Sequence, residues 1–387
     1  MAIGEIFSTR VEGIVSGGRG LARKDGLPVF IGQSSPGDRL RARIVRESRD
    51  WAEAEPLEIL EASPLRVEPL CPRYGICGGC SLQHLAYDSQ LEAKKSILKE
   101  SFARIGALPG VPEPAVFPSP PWEYRNRMQF HRLPNGRGVG LMARKGAGVV
   151  PLSDCPAADR GIRDLLASGL ISPPPHKDRF TLYSRDGLLL REGGPSRGRV
   201  KLRGEGILMD AALFFQSNAA LLERLIGDLL ALAGEADRSR PLADIYCGVG
   251  TFAFFLKGSF PRIDLVEENR AALALARENV GGGENGYFAM KDEEWARGRG
   301  RGNYGFIVAD PPRQGLSPAM RAWLAGVEAP ILAYVSCDSS TLARDSRELL
   351  AGGWSLEGLG FYDFYPQTAH IESLAVFKRE FQKGVKP

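Results

Sequence analysis

The sequence predicts a chain of three parts: a C-terminal α/β fold of the Rossmann-like kind, preceded by a small β-barrel and a β-rich central part. Three observations carry this. From about Gly206 strand-like and helix-like runs alternate, the first sixty residues are short β-rich runs broken by turns, and three of the six cysteines fall between Cys71 and Cys80. At 387 residues the chain exceeds what one hydrophobic core usually supports. A hydrophobic content of 43% and a charged content of 25% are those of a folded globular protein. No run reaches the apolar length that spans a bilayer, and the N-terminus "MAIGEIFSTR" carries Glu5 and no signal-peptide core. A cytoplasmic monomer with no membrane contact is expected.

Boundaries are expected at 1–62, 63–205 and 206–387. In the first part, Gly17-Gly18, Asp25-Gly26 and Pro36-Gly37-Asp38 punctuate β-rich runs, which suggests a five-stranded barrel of the oligonucleotide-binding shape. Arg39, Arg41 and Arg43 alternate and so share one strand face. The elements "GGRGLAR" and "VFIGQSSPGD" resemble a TRAM domain, an RNA-binding barrel.

The central part opens on a Pro-containing linker and "CPRYGICGGC", continues through a helix that ends at Gly106 and a proline-rich connector, and then reads as strands and turns to about Arg203. Lys and Arg outnumber Asp and Glu by 22 to 14 between residues 61 and 205, against 9 to 9 before and 19 to 23 after. A polyanion is therefore expected at the centre of the chain. If "YRNRMQFHR" is extended, Arg125, Arg127, Gln129 and His131 share a face, as a phosphate-tracking surface requires. Cys71, Cys77, Cys80 and the distant Cys155 form a C-x5-C-x2-C…C set that can hold zinc or a [4Fe–4S] cluster. The close triplet, the lone fourth cysteine and Pro156 after it favour the cluster over zinc, whose structural sites usually show two paired knuckles. His84, near the cysteines, is given no role, and "ARGRGRGN" at 296–303 is read as a solvated loop.

In the third part, "DIYCGVGTF" is a strand, a Gly248-x-Gly250 turn and a helix start, which lets a cofactor approach the backbone and the helix N-terminus. The next strand ends at Glu267, whose carboxylate can accept both hydroxyls of a ribose. A dinucleotide fold asks for a third glycine, and that position is Ala253. S-adenosylmethionine has no pyrophosphate to cradle and suits the shorter loop. "DPPR", from Asp310, and "YVSCDSSTLARD", containing Cys337, follow two further strands and so fall at the sheet's carboxyl edge.

In order, "FFQSN", "DIYCGVGTF", "DPPRQGL", "YVSCDSSTLARD" and "YPQTAHIES" resemble the RNA uracil-C5 methyltransferase family, which makes 5-methyluridine. With four cysteines and a TRAM-like front, the chain is most similar to the cluster-containing branch that acts on 23S rRNA. The resemblance implies Cys337 as the nucleophile that adds to carbon 6 and Glu372 as the base that removes the carbon-5 proton. It also implies a cofactor site from Gln216, Tyr246, Gly248, Gly250, Thr251, Glu267 and Asp310, with a basic surface clamping a splayed RNA loop. Asp338 stands where relatives commonly have Asn, and a carboxylate there is expected to raise the thiol's pKa. His370 is as readily a structural histidine as a neighbour of the base. The alternatives are the same chemistry on tRNA and a non-catalytic RNA-binding assembly factor. A radical enzyme is disfavoured because the cysteine spacing is not C-x3-C-x2-C.

Overall fold

The computed structural model describes residues 2–380 apart from 135, 137, 147, 299 and 301; Arg299 and Arg301 of the "ARGRGRGN" stretch thus lie outside the described residues. The first sheet holds β1 (Ile6–Arg10), β2 (Gly13–Val15), β3 (Arg19–Lys24), β4 (Leu27–Ile31), β5 (Arg39–Glu47) and β6 (Ala52–Glu61), in the order β1-β5-β6-β4-β3-β2. Six strands stand where five were expected, because Val11 turns into the core and its amide bonds Asp38 O, splitting the first strand. The two halves sit at opposite ends of the sheet order, so the chain itself joins the ends. Alternation along β5 buries Leu40, Ala42 and Ile44 and leaves Arg39, Arg41 and Arg43 outside.

After α1 (Tyr87–Arg104) and β7 (Ala115–Phe117), a second sheet forms from β8 (Arg127–Arg132), β9 (Val139–Met142), β10 (Val149–Pro151), β11 (Arg179–Arg185) and β12 (Leu188–Arg191). The helix α2 (Arg160–Ala167) covers it through Ile162 and Leu166. Only strands and turns were expected here; eight residues with two buried apolar positions are too short to show a helical period. The hairpin β13 (Arg197–Leu202) and β14 (Glu205–Asp210) follows, so the boundary drawn between 205 and 206 falls inside a strand.

The third part contains α3 (Ala219–Glu235), β15 (Leu242–Ile245), α4 (Thr251–Leu256), β16 (Ile263–Val266), α5 (Arg270–Val280), β17 (Gly286–Phe288), α6 (Asp292–Gly298), β18 (Phe306–Ala309), α7 (Pro318–Gly326), β19 (Ile331–Ser336), α8 (Ser339–Ala351), β20 (Ser355–Tyr362) and β21 (Glu372–Lys378). These strands build one sheet in the order β17-β16-β15-β18-β19-β21-β20-β7, with β17 to β19 parallel and β21 antiparallel between β19 and β20. Alternation sends Leu242, Val308, Ala333 and Val335 to a core under α3, α4 and α5, and Ile245, Ile307, Leu332 and Tyr334 to one under α1, α7 and α8. Both faces are therefore covered, as a parallel sheet requires. The edge strand β7 lies parallel to β20 although its sequence belongs to the central stretch. Chain order and spatial order part there.

Candidate active site

The parallel strands β15, β16, β18 and β19 all end at one edge of the sheet, and the antiparallel β21 begins at it. A cavity of about 1100 Å³ opens there, lined among others by Gln216, Tyr246, Gly248, Glu267, Asp310, Cys337 and Glu372. The topology explains the last two. The β19/β21 ladder pairs Ser336 with Ser373, so Cys337, one step further, and Glu372, one step earlier, meet at the end of the ladder. Asp310 follows β18, the other neighbour of β19.

The turn after β15 is strained where it meets the cavity. Tyr246 has a φ of 62°, a conformation that costs a bulky residue on the order of 1–3 kcal/mol. Gly248, with a φ of 55°, has nothing within 4 Å of where a Cβ would stand. Its amide bonds Glu267 Oε2 at 3.1 Å, and the amide of Asn269 bonds Oε1 at 2.8 Å, so the carboxylate is fixed against the turn. Gly250 and Thr251 do not line the cavity. A Cβ on Gly250 would meet Ala276 Cβ at 3.0 Å, so this glycine serves the packing of α4 on α5, and Thr251 is the first residue of α4. Gln216 Oε1 and Tyr246 Oη are buried with no hydrogen-bond partner, polar atoms of the kind a ligand satisfies.

Three acidic groups crowd the far side of the cavity. Burial, then the charges of Glu372 and Asp310, push the Cys337 thiol up to about 12. Burial, then Asp310, holds the Glu372 carboxyl well above the usual range, and burial alone lifts Asp310 to about 7. Arg313 is the cation that opposes the first two shifts, and its Nη2 lies 3.2 Å from Nδ1 of His370. Asp338 raises the thiol, as expected. It caps α8, accepting from the amides of Ser340 and Thr341 at 3.0 Å each, and is the weakest of the named influences on Cys337. The buried Asp345 of the same motif accepts from Leu316 N and Tyr334 Oη, both at 2.8 Å, tying the loop after Asp310 to α8 and β19.

Sequence reasoning passes over Tyr365, which lines the cavity and has Glu372, Arg125 and Cys337 as its charged neighbours. It also passed over Phe214, 62% exposed and placed under the Arg127 guanidinium. Both sit inside the quoted motifs, where an aromatic beside a polar motif residue was the available signal. Of the basic strand, Arg125, Arg127 and Gln129 line the cavity and His131 does not. His84 proves to be a tie: Nδ1 meets Tyr74 Oη at 2.5 Å and Nε2 meets Ser34 O at 3.1 Å, joining the cysteine loop to the first sheet.

Cys71, Cys77, Cys80 and Cys155 surround a second, smaller void, whose wall also includes Arg125 and Gly79, residues shared with the large cavity. Among the described residues no three His, Cys, Asp or Glu side chains are grouped to hold a metal ion. The four thiols thus border one space without meeting at one point. Arg125 Nε is buried without a partner, and four thiolates around a bound group would supply the negative charge it lacks.

A family model described as "Methyltransferase small domain" matches residues 225–323. An uncharacterized RNA methyltransferase of Treponema denticola is 35% identical over 92% of this chain and 95% of the relative. The 23S rRNA (uracil(1939)-C(5))-methyltransferase RlmD of Alkalilimnicola ehrlichii is 30% identical over 98% of both chains. The fold is shared with the crystal structure of Pyrococcus abyssi tRNA (uracil-54, C5)-methyltransferase in complex with S-adenosyl-L-homocysteine, at a TM-score of 0.74 and 23% identity, over 96% of this chain and all of that one. With full-length relatives at this level and a thiol and carboxyl at the carboxyl edge of a matching fold, the chain belongs to the RNA uracil-C5 methyltransferase family.

Proposed function

We propose that this protein methylates carbon 5 of a specific uridine in 23S rRNA, using Cys337 as nucleophile and Glu372 as base. The observation that carries the reading is the meeting of these two side chains at the end of one ladder, inside the large cavity. Cys337, its proton released to solvent, adds to carbon 6 of the uracil, which leaves carbon 5 with enolate character. Bound S-adenosylmethionine would supply an electrophilic methyl group to carbon 5, its sulfur keeping the electron pair of the broken sulfur–methyl bond and leaving as the neutral thioether S-adenosylhomocysteine. Glu372, as carboxylate, then takes the carbon-5 proton, and the electron pair of the carbon 6–sulfur bond returns to Cys337. A carboxyl held above its ordinary pKa by burial is a stronger base once ionised. Gln216, Tyr246, Gly248, Glu267 and Asp310 would hold the methyl donor, with Glu267 facing the ribose hydroxyls, while Gly250 and Thr251 shape the turn from behind.

The remaining assignments belong to the same reading. Residues 1–62 form a TRAM-like barrel, 63–205 an RNA-binding part in which the four cysteines hold a [4Fe–4S] cluster, and 206–387 the methyltransferase unit; the protein works as a cytoplasmic monomer. Full-length relatives named for 23S rRNA support that substrate over tRNA. The decisive experiment maps 5-methyluridine on undermethylated ribosomal and transfer RNA incubated with the protein. Methylation of one 23S site, abolished by Cys337→Ala, is expected. Full activity of that variant sinks the mechanism, and methylation of tRNA alone changes the substrate. Because the thiol is pushed up, the rate should climb with pH into the alkaline range.

A further inference from the structure

Gln367 stands five positions before Glu372, in the segment joining β20 to β21. It is 4% exposed and holds a φ of 67°, a strained conformation that persists only where neighbours fix it. Those neighbours come from far earlier in the chain. The amides of Ser81 and Leu82 both donate to Gln367 O at 2.9 Å. Gln90 and Gln367 form a reciprocal pair: Gln90 Nε2 donates to Gln367 Oε1, and Gln367 N donates to Gln90 Oε1, each at 2.9 Å. Tyr124 Oη donates to Pro366 O at 2.9 Å and Lys94 Nζ to Tyr365 O at 3.0 Å, with Lys94 fully buried against Asp363. The backbone of residues 365–367 thus hangs on residues 81–124. Ser81 follows Cys80, which borders the four-thiol void.

We infer that the segment from Cys80 to Leu82, braced by Gln90, is a positioning element for the catalytic base: by holding Gln367 it sets where Glu372 stands relative to carbon 5. This rests on the reading of Glu372 as that base. None of these residues touches substrate; they act through the loop. A group held by the four thiols would fix Cys80, and through it the two amides that clasp Gln367. Loosening the clasp affects one step. The carbon-5 proton is not removed, the bond from carbon 6 to Cys337 sulfur is not broken, and the methylated RNA stays attached to the protein.

The test uses the full chain with Gln90→Leu, which removes the reciprocal pair and leaves every thiol in place. Turnover should fall roughly 10-fold or more, with a denaturant-stable adduct accumulating on ordinary uridine RNA, the outcome also expected of Glu372→Gln. Trapping by 5-fluorouridine RNA, which needs no base, should stay within about 3-fold of the parent, because only the later step is affected. Unchanged turnover, or trapping that falls in step with turnover, overturns the inference. If Glu372→Gln itself gives no adduct, the base assignment fails, and the clasp is decided by a second measurement. In Cys80→Ser, amide hydrogen exchange across 364–371 should quicken by roughly 10-fold while that of α4 is unchanged. Equal exchange in both segments, unchanged or quickened, overturns it.

Discussion

Two sets of arginines, one on the first sheet and one at the cavity, show how little a charge count says about available charge. On β5, Arg39, Arg41 and Arg43 face outward, and the antiparallel ladder sets Glu61, Glu58 and Glu55 of β6 opposite them. Each arginine is paired, with N–O distances of 2.7 Å to Glu61 and 3.3 Å to Glu58 and a closer contact to Glu55. Arg125 and Arg127, on and beside β8, line the large cavity, and each keeps a buried Nε with no partner. No carboxylate pairs with either among the described residues. The first set is a neutral ladder that an RNA phosphate must compete to enter. The second is poised for an anion.

The sharpest way to break this contrast is to remove the second set. Arg125→Ala with Arg127→Ala should weaken RNA binding roughly 100-fold and reduce the log–log salt slope by about 2, read by titration at several salt concentrations. Unchanged affinity would erase the distinction. The converse change unmasks the first set: Glu55, Glu58 and Glu61 all to Gln should raise non-specific RNA affinity roughly 10-fold at low salt, with a steeper slope. Replacing Arg39, Arg41 and Arg43 by Ala should move RNA affinity by less than about 3-fold and stability by roughly 1 kcal/mol per pair or less. A large loss of binding there would mean that the ladder opens to RNA.

Acids in the same two regions sharpen the comparison further. Burial works to raise Asp38, but Arg66 at 2.8 Å and the amides of Ser35 and Ser63 outweigh it and hold the carboxyl below its usual range. Asp310 has no such cation and rises to about 7. The signs are opposite. Asp38 contributes stability at neutral pH that is lost as pH falls through its lowered value. Asp310 costs stability that grows as pH rises from about 4 to about 7. Asp310→Asn should therefore raise the melting temperature by a few degrees at pH 8 and leave it unchanged at pH 4, whereas Asp38→Asn should lower it at pH 8. Equal shifts at both pH values would contradict the assignment.

Motifs with a turn after a strand were legible because local chemistry fixes them. Gly248 needs a left-handed backbone, Glu267 follows β16 and is bonded to that turn, and Cys337 follows six buried residues of β19. Five strands are expected at the front and six are found, because the inward side chain of Val11 ends one strand two residues before Gly13 begins the next. The helix α2 was missed for want of length. The close approach of Ala276 on α5 to Gly250 is invisible to spacing. Asp338 raises the Cys337 thiol as expected, but as the last of the named causes, because its carboxylate is turned onto the amides of α8.

By itself the sequence determined the order of elements, the sheet edge at which the strand-end motifs collect, and the thiol and carboxyl that stand there. These follow from backbone preferences and side-chain chemistry that act over a few residues. Only the tertiary structure decided which arginines are neutralised, that β7 closes the edge of a sheet more than a hundred residues away in sequence, and that the loop before Glu372 hangs on the segment after Cys80. Those outcomes depend on pairings between distant stretches, whose register is set by the packing of whole layers.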